Sequence, residues 1–229
     1  RTMHAHDDSF AVSLDKISLT VKLADDPDLL WTAFKSKHRN NIRRVQKAGI
    51  RVQSGQMELL DPFYDLLCDS WRSLGTPIYR KRYFRSILQT FKEQVRIFVA
   101  FQQDTPVAAA FNGYCGDTVE GMWAGSPLRH RALQPNYVLY WEMMKHACEG
   151  GFGHFHLGRS SVESGGESFK RKWGAESKQL YWQFYMPGGG PMPELNVQNP
   201  KYALAIGAWK RLPLWLTQSV GPYLARSIP

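Results

Sequence analysis

The sequence predicts an α/β domain built on a mixed, mainly antiparallel β-sheet that is flanked by helices. Three apolar segments, residues 95–101, 106–114 and 118–124, are separated only by short turns, which is typical of an antiparallel meander. A helical pattern then begins at Pro135, ends before two glycines, and leads into another apolar strand at residues 152–157. Because a helix that returns to the sheet forms a crossover, we also expect a parallel pair.

Hydrophobic periodicity predicts the other elements of this domain. They are a strand at residues 10–14, one helix from Pro27 to Gly49, a strand at 50–53, helices at 58–74 and 81–91, and a last strand at 180–185. His38 lies on the apolar stripe of the first helix, where a partly buried structural imidazole is expected. Asp61, Asp65 and Asp69 recur on one face of the next helix, and we expect them to be solvated.

A segment rich in glycine and proline, residues 187–193, indicates the end of the domain. We therefore expect residues 1–188 to form one domain and residues 189–229 to form a linker and a helical tail. Two amphipathic helices, residues 202–212 and 214–224, are predicted in the tail on either side of Pro213. Because the chain begins with Arg rather than Met, it is compatible with a piece cut from a longer protein.

Composition narrows the class of protein. No apolar run approaches the roughly 18 residues needed to cross a bilayer, and the polar start has no signal-peptide centre, which predicts a cytoplasmic location. Cys68, Cys115 and Cys148 have neither CxxC spacing nor a neighbouring cluster of ligands, so they are expected to be reduced packing residues. The sequence therefore predicts neither a metal site nor a cysteine nucleophile.

The net charge of +9 is concentrated in two segments. Residues 35–51 hold seven cations without an acid, and residues 195–229 hold four more, again without an acid. Such segments favour a polyanionic partner, namely a phosphate-bearing substrate, RNA or anionic lipid. A solvated helix face is the alternative interpretation of each segment.

The loop at residues 123–137 joins a predicted strand to a predicted helix and carries two arginines. Backbone N–H groups at a helix start, together with arginine side chains, suit a pyrophosphate, which predicts a donor-phosphate site. The loop lacks the Walker and GxGxxG patterns, which disfavours nucleotide hydrolysis and NAD binding. The residues that we assign to the donor are Trp123, Gly125, Arg129, Arg131 and Asn136.

The segment at residues 154–174 is the second candidate for chemistry. His154 and His156 lie on the same face of one strand, opposite Phe155 and Leu157, which predicts a polar cleft wall in preference to a metal site. The following loop, rich in glycine and serine, can close over a substrate and offers carboxylates and a lysine, although a mobile surface connection is the alternative. The loop carries Arg159, Glu163 and Glu167, followed by Phe169, Lys170, Lys172 and Trp173.

Four segments in order resemble the Fem-like branch of the GNAT acyltransferases, and most closely the FemAB-related proteins of bacterial exopolysaccharide and exosortase gene clusters. They are WTAFKSKHRNNIRRVQKAGI, LGTPIYRKRYF, RALQPNYVLYWEMMKHA and HFHLGRSSVESGGESFKRKWGAE. The resemblance covers residues 10–226. It implies a GNAT fold in which an acyl donor lies beside a splayed strand and an amine is the acceptor.

The resemblance also implies roles for particular residues. Phe169 and Lys170 resemble the Phe-Lys pair of the peptidoglycan-building members, which use aminoacyl-tRNA and place this lysine at the catalytic centre. The arginine loop at residues 129–132 resembles only loosely the phosphate-binding motif of CoA-dependent members. Full-length relatives carry two GNAT-like domains, so this chain corresponds to the second, and an N-terminal GNAT-like domain is expected outside it.

The leading functional hypothesis is transfer of an acetyl or aminoacyl group from acyl-CoA or aminoacyl-tRNA to an amine of a cell-envelope or exopolysaccharide precursor. The donor is a co-substrate, and no tightly bound cofactor is expected. Glu120, His156 and Glu163 are the candidates for proton transfer, and Arg159 and Lys170 are the candidates for anion stabilisation. The candidate substrate-binding residues are Phe169, Trp173, Arg43 and Arg44.

The alternative hypothesis is a noncatalytic scaffold for envelope polysaccharide assembly, peripheral to the inner membrane. The basic helix and the tail would then contact anionic lipid. The apolar tail residues assigned to the lipid interface are Trp209, Leu212, Leu214, Trp215 and Leu216. Packing of the same residues against the domain is the rival interpretation.

Overall fold

A computed structural model describes residues 10–186 and 200–226. The strands are β1 (Ala11–Ser13), β2 (Lys16–Lys22), β3 (Ile50–Gly55), β4 (Val95–Gln102), β5 (Thr105–Cys115), β6 (Thr118–Gly125), β7 (His154–Ser161), β8 (Glu176–Gln179) and β9 (Trp182–Phe184). The helices are α1 (Pro27–Ala33), α2 (Ser36–Lys47), α3 (Leu60–Leu74), α4 (Lys81–Phe91), α5 (Asn136–Glu149), α6 (Gly165–Arg171), α7 (Pro200–Arg211) and α8 (Leu214–Ala225).

Seven strands form one sheet in the order β3-β4-β5-β6-β7-β2-β8. Strands β3 to β6 pair antiparallel in sequence, as expected of a meander. Helix α5 then crosses over the sheet, and β7 returns beside β6 as the parallel neighbour. The predicted fold class, a mixed and mainly antiparallel sheet flanked by helices, is therefore confirmed. β1 and β9 form a separate two-stranded sheet.

The sheet separates two hydrophobic cores, because successive strand residues point to opposite faces. The first core joins α1, α2 and α5 to the sheet and includes Phe98 of β4 and Phe155 of β7. The second core joins α3 and α4 to β4, β5 and β6 and includes Ile97 and Phe111. Among the described residues, no side chain of β2 or β7 belongs to this second core. The layer formed by α3 and α4 therefore ends at β6.

Strand β2 was not predicted from the sequence. It pairs with β7 on one side and β8 on the other, so it occupies an inner position of the sheet. Ile17, Leu19 and Val21 alternate into the first core, which is the two-residue period that identifies a half-buried strand. The first strand of the sheet along the chain thus completes the half of the sheet that contains β7.

The predicted single helix over residues 27–49 is wrong, because two helices occupy this segment. Phe34 and Lys35 have extended backbone conformations, which end α1 and begin α2. The break places the Phe34 ring in the first core, edge-on to Trp141 and Trp173. Burial of this ring compensates for the interrupted helical hydrogen bonding.

Two further predictions in the C-terminal part needed correction. The segment assigned to a loop after β7 contains α6, which begins at a Ser164 side chain that accepts a hydrogen bond from the Glu167 N–H. The predicted last strand at residues 180–185 contains β9, which pairs with β1 in the small sheet, whereas β8, at the edge of the main sheet, precedes it and was not predicted.

The two predicted tail helices are confirmed as α7 and α8. Both contact α3, and Arg72 of α3 donates a hydrogen bond to the Leu212 carbonyl oxygen at 3.1 Å. Gly221 lies so close to Ile78 that an added Cβ would be 3.1 Å from its backbone nitrogen. Residues 187–199 lie outside the described residues, so the domain boundary at residue 188 stays a prediction.

His38 is buried as the sequence predicts, with 4% of its surface exposed. Its ring lies edge-on to Trp173, with the ring centroids 4.2 Å apart, and neither ring nitrogen has a hydrogen-bond partner within the described residues. Burial lowers the pKa of His38 to about 4, and the charge of Lys172 contributes in the same direction. The neutral imidazole is therefore the form that the folded protein accommodates.

This burial predicts a loss of stability in acid. As the pH falls below about 6.5, His38 becomes protonated in the unfolded chain, whereas in the folded chain it stays neutral down to about pH 4. At pH 4.5 the loss amounts to about 2–3 kcal/mol. The free energy of unfolding is measured in urea at pH 7.5 and at pH 4.5. Its decrease between the two pH values should be smaller in His38→Leu than in the unsubstituted protein by this amount. Equal losses in the two proteins would contradict the proposed origin.

Candidate active site

The parallel strands β6 and β7 pair over only three residues each. Residues 118–120 pair with residues 154–156, whereas β6 continues to Gly125 and β7 to Ser161 without further pairing between them. Both strands are irregular where they separate: the β5–β6 register shifts beside Gly121, and the β7–β2 register shifts beside Gly158, whose φ is +74°. The strands therefore leave a gap between their C-terminal halves.

A row of hydrogen-bonded side chains crosses the sheet at this separation. Glu120 of β6 and His156 of β7 are paired in register, and the Glu120 carboxylate contacts His156 Nδ1. On the other side of the ring, His156 Nε2 is 2.6 Å from the Ser18 hydroxyl of β2. The row brings together two residues predicted from the sequence, Glu120 and His156, and one that was missed, Ser18.

The row is accessible to solvent at Glu120 and buried at Ser18. The exposed fractions of the Glu120 and His156 side chains are 44% and 23%, whereas Ser18 as a residue is 6% exposed. A carboxylate only accepts, so we assign the His156 proton to Nδ1, and the Ser18 hydroxyl then donates to Nε2. This arrangement fixes both the tautomer and the orientation of the imidazole.

Lys170 of α6 lies where the two strands separate. Its ammonium group donates to the Arg159 carbonyl oxygen at 2.7 Å. A Cβ added at Gly158 would be 3.9 Å from Lys170 Nζ and 3.8 Å from the Gly121 carbonyl oxygen. Burial lowers the pKa of Lys170 to about 8, although the nearby Glu120 carboxylate opposes the shift. Lys170 is therefore a cation at neutral pH that deprotonates more easily than an exposed lysine.

Helix α6 holds Lys170 through its own hydrogen bonds. The Glu167 carboxylate accepts from the Glu163 backbone N–H and from Arg171 Nε, each at 2.7 Å, and these bonds lower the pKa of Glu167. Glu163, which we assigned to proton transfer, is exposed and has a left-handed backbone conformation at the start of the loop. Arg159 stacks on Trp182, with its guanidinium carbon 5.1 Å from the ring centroid.

A small cavity of about 10 Å³ adjoins the strand separation and contains a buried polar residue. Asn112 of β5 is 0% exposed, and neither polar atom of its side chain has a partner among the described residues. Gly121, Tyr140 and Leu157 also line this cavity. A buried amide without a partner is costly, so a bound polar group would be stabilised here. The signal in the sequence was an isolated asparagine within an apolar strand.

Arg129 is held by an ion pair that the sequence did not predict. Asp69 of α3, expected to be solvated, is only 7% exposed and pairs with both Arg72 and Arg129. The expectation for Asp69 is therefore wrong, because the two arginines compensate for its burial. Arg131 is exposed in the 3-10 turn Leu128–Leu133, and Asn136 is the first residue of α5. The ion pair fixes Arg129 beside the loop that leads into α5.

Two of the residues assigned to the donor have clear packing roles. Trp123 packs against the second core, edge-on to Phe84 and Phe111. A Cβ added at Gly125 would approach the Leu67 Cα to 2.9 Å, so glycine is required where β6 meets α3. Trp123 also lines the Asn112 cavity, whereas Gly125 is accounted for by helix packing alone.

The assignment of Trp173 to substrate binding is wrong, because its side chain is a core residue. Trp173 is 0% exposed and stacks against Tyr140, with ring centroids 5.9 Å apart. Phe169 is only partly buried and lies edge-on to Tyr140. Both aromatic residues therefore anchor α6 to α5, and Lys170 follows directly after one of them.

The basic helix α2 forms an open groove of about 370 Å³ beside the loop at residues 123–137. Its lining residues are Asn40, Arg43, Arg44 and Lys47. The Arg44 guanidinium donates to the Gln134 side chain, two residues before α5, and Arg43 stacks on Trp31 at 5.2 Å. The groove and the loop are therefore adjacent surfaces of positive charge.

The predicted pair of histidines does not act as one unit. His154 contacts Asp117 at 3.1 Å, whereas His156 contacts Glu120 and Ser18. Within residues 10–186 and 200–226, no group of three histidine, cysteine or acidic side chains is arranged to hold a metal ion. The three cysteines are free, and two of them are buried.

Comparisons with known proteins give a family and a set of related folds. The profile of the family described as "Acetyltransferase (GNAT) domain" matches residues 33–171. No curated protein matches the sequence significantly. FemX has a similar structure, with a TM-score of 0.64 and 15% identity over 83% of this chain and 64% of FemX.

Two lysylphosphatidylglycerol synthetase structures are also similar. L-PGS from Bacillus licheniformis has a TM-score of 0.57 and 14% identity, over 90% of this chain and 68% of that protein. The C-terminal domain of a putative lysylphosphatidylglycerol synthetase from Agrobacterium fabrum has a TM-score of 0.56 and 14% identity, over 75% of this chain and 60% of that domain. At these identities the likeness is one of fold, and the chain spans less than two thirds of FemX and of the A. fabrum domain.

Among the described helices, none is both long and apolar enough to cross a membrane. The matched family segment covers more than half of the chain, from the end of α1 to the end of α6, and includes Glu120, His156 and Lys170. The chain belongs to the GNAT acetyltransferase family.

Proposed function

We propose that the protein is an N-acyltransferase that moves an acetyl or aminoacyl group from acyl-CoA or aminoacyl-tRNA to an amine of a cell-envelope or exopolysaccharide precursor. The observation that carries this proposal is the row of Glu120, His156 and Ser18 beside the Lys170 ammonium, where β6 and β7 separate. Membership of an acyltransferase family supports the reaction class. The resemblance to Fem-like transferases supports the acceptor.

Glu120 accepts the proton of the attacking amine. One carboxylate oxygen is held by His156 Nδ1–H, so the other is available to the acceptor at the exposed end of the row. The amine proton ends on the free Glu120 oxygen, while His156 keeps its Nδ1 proton and the Ser18 hydroxyl keeps donating to Nε2. Both hydrogen bonds of His156 therefore persist, and the base keeps its orientation during transfer.

Lys170 stabilises the negative charge that develops on the acyl carbonyl oxygen. One ammonium N–H is used by the Arg159 carbonyl oxygen, which leaves two to donate. Because α6 fixes the lysine before the donor arrives, little reorganisation is needed as charge develops. Arg159 lies opposite Ser18 in the β7–β2 pairing, and we assign it a supporting role toward the same anion.

The acyl donor occupies the gap between β6 and β7. We assign Asn112, which lines the cavity beside the gap, to a polar group of the donor, and we assign Arg129, Arg131 and Asn136, in and just after the turn before α5, to its phosphates. The groove formed by Arg43 and Arg44 extends this positive surface, which suits a polynucleotide donor more than CoA alone.

The two donors are distinguished by binding measurements. Arg43→Gln/Arg44→Gln should lower affinity for aminoacyl-tRNA by about tenfold or more at 0.1 M salt, since each phosphate contact contributes to binding. Binding of a CoA ester should be unchanged. The matched control is Arg82→Gln/Arg85→Gln on α4, which removes the same charge from another exposed surface. Saturable CoA ester binding without RNA affinity would exclude tRNA as the donor.

Replacement of Lys170 tests the assignment of the oxyanion site. Lys170→Met should lower kcat by about 10²-fold with little change in KM or thermal stability, because the ammonium acts on charge that develops during transfer. The rate of the unsubstituted enzyme should fall as the pH rises through about 8, where Lys170 loses its charge. Lys172→Met, at an exposed neighbour, is the control. Normal turnover of Lys170→Met would refute this role.

Ser18 is a positioning residue, and its replacement should affect kcat more than KM. Ser18→Ala should lower kcat by about tenfold, because Nε2 of His156 loses its partner and the ring its fixed orientation. Ser18→Thr retains the hydroxyl and should restore part of the rate. Thr20→Val removes a hydroxyl outside the row, on the same strand face opposite His156, and serves as control. Equal kcat values for Ser18→Ala and the unsubstituted enzyme would exclude this role.

A further inference from the structure

Helix α8 exposes an apolar face to solvent. The segment Leu214–Ala225 contains no charged residue. The apolar residues that remain accessible are Trp215 (67% exposed), Tyr223 (59%), Leu224 (44%) and Val220 (39%). A surface helix normally places polar residues on its outer face. Here the exposed Ser219 lies among the apolar residues and donates its hydroxyl to the Trp215 carbonyl oxygen, so the face is mainly apolar and indicates a contact surface.

Packing against the protein prevents this face from turning inward. Thr217, Gly221 and Ala225 are buried on the opposite side of α8, and Leu214 packs against the second core. Gly221 fits directly over the Ile78 backbone, which leaves no room for rotation of the helix. The outer face is therefore held in its exposed orientation.

The structure changes which tail residues are available to a partner. Trp209, assigned from the sequence to a lipid interface, is 8% exposed and lies near Gly221. Leu214 is likewise used in packing, whereas Trp215 remains accessible. The exposed face is thus formed by α8 and not by the connection between the two helices.

Two arginines lie against the exposed face. The Arg80 and Arg226 guanidinium groups both stack on the Tyr223 ring, with 4.9 Å and 5.9 Å from their central carbons to the ring centroid. Lys210 and Arg211 lie in the last turn of α7, immediately before α8. The nearby acid Asp61 is neutralised by Lys81 at 3.0 Å. The surface therefore combines accessible tryptophan, tyrosine and aliphatic residues with a positive rim.

We propose that the α8 face binds the surface of a membrane that contains anionic lipids. Tryptophan and tyrosine are the residues that occupy the headgroup boundary, and arginines at the rim complement the negative surface potential. A purely apolar protein partner would not account for the cations at the rim, because it offers them no negative charge. The face is separate from the row of Glu120, His156 and Ser18, so membrane binding is measurable without any knowledge of the reaction.

Flotation with vesicles tests this proposal. The full chain should float with vesicles of phosphatidylcholine and phosphatidylglycerol at 0.1 M salt, and at least about tenfold less with phosphatidylcholine alone. Trp215→Gln/Leu224→Gln should lower the bound fraction on anionic vesicles about tenfold or more. Arg80→Gln/Arg226→Gln should remove the preference for anionic lipid. Leu29→Gln, at a 61% exposed apolar residue of α1, should bind like the unsubstituted protein.

Circular dichroism and thermal unfolding establish that each variant is folded before flotation. Equal flotation of the unsubstituted protein and Trp215→Gln/Leu224→Gln would overturn the proposal. Absence of flotation of the unsubstituted protein would overturn it as well. If sedimentation then showed a concentration-dependent dimer that Trp215→Gln/Leu224→Gln abolishes, the face would be assigned to self-association instead.

Discussion

The separation of β6 from β7 is the constraint on which the candidate site depends. Parallel pairing stops after Glu120 and His156, so each strand leaves backbone and side-chain groups facing a gap. The left-handed conformation of Gly158 permits the bend of β7. Lys170 approaches this gap from α6, and the side chain of Asn112 lines the cavity next to it. A continuous β6–β7 pairing would leave no space for a donor.

The site is assembled from segments that are distant in the sequence. Ser18 and His156 are separated by 138 positions, and they meet only because β2 inserts between β7 and β8. Contacts of this range depend on the assembly of the whole sheet, since closing long loops is entropically costly. The geometry of the proposed base is therefore coupled to the stability of the first core, which contains Ile17, Leu19 and Val21.

Local patterns in the sequence were sufficient for the meander, for α5, and for two members of the row, because their signals lie within a few residues. Ser18 was missed because its role depends on strand pairing, and no local pattern reports the partner of β2. Asp69 and Trp173 were misassigned for a similar reason. The regular spacing of Asp69 on its helix is typical of a solvated carboxylate, and only the structure shows its ion pair with Arg129. Trp173 follows a lysine, as a substrate contact could, and only the structure shows that it packs against Tyr140.

The two proposed binding surfaces lie on opposite faces of the sheet. Helix α2, with its arginine groove, packs with α5 on the first core, whereas α8 packs with α3 on the second. Glu120 points to the side of α3, because its neighbour Val119 points into the first core. Under the two proposals, a donor bound at α2 would reach the gap between β6 and β7 from one face of the sheet. An acceptor in a membrane bound at α8 would reach the gap from the other face. The part of that face beyond β6, which α3 and α4 leave uncovered, would then lie between the acceptor and the gap.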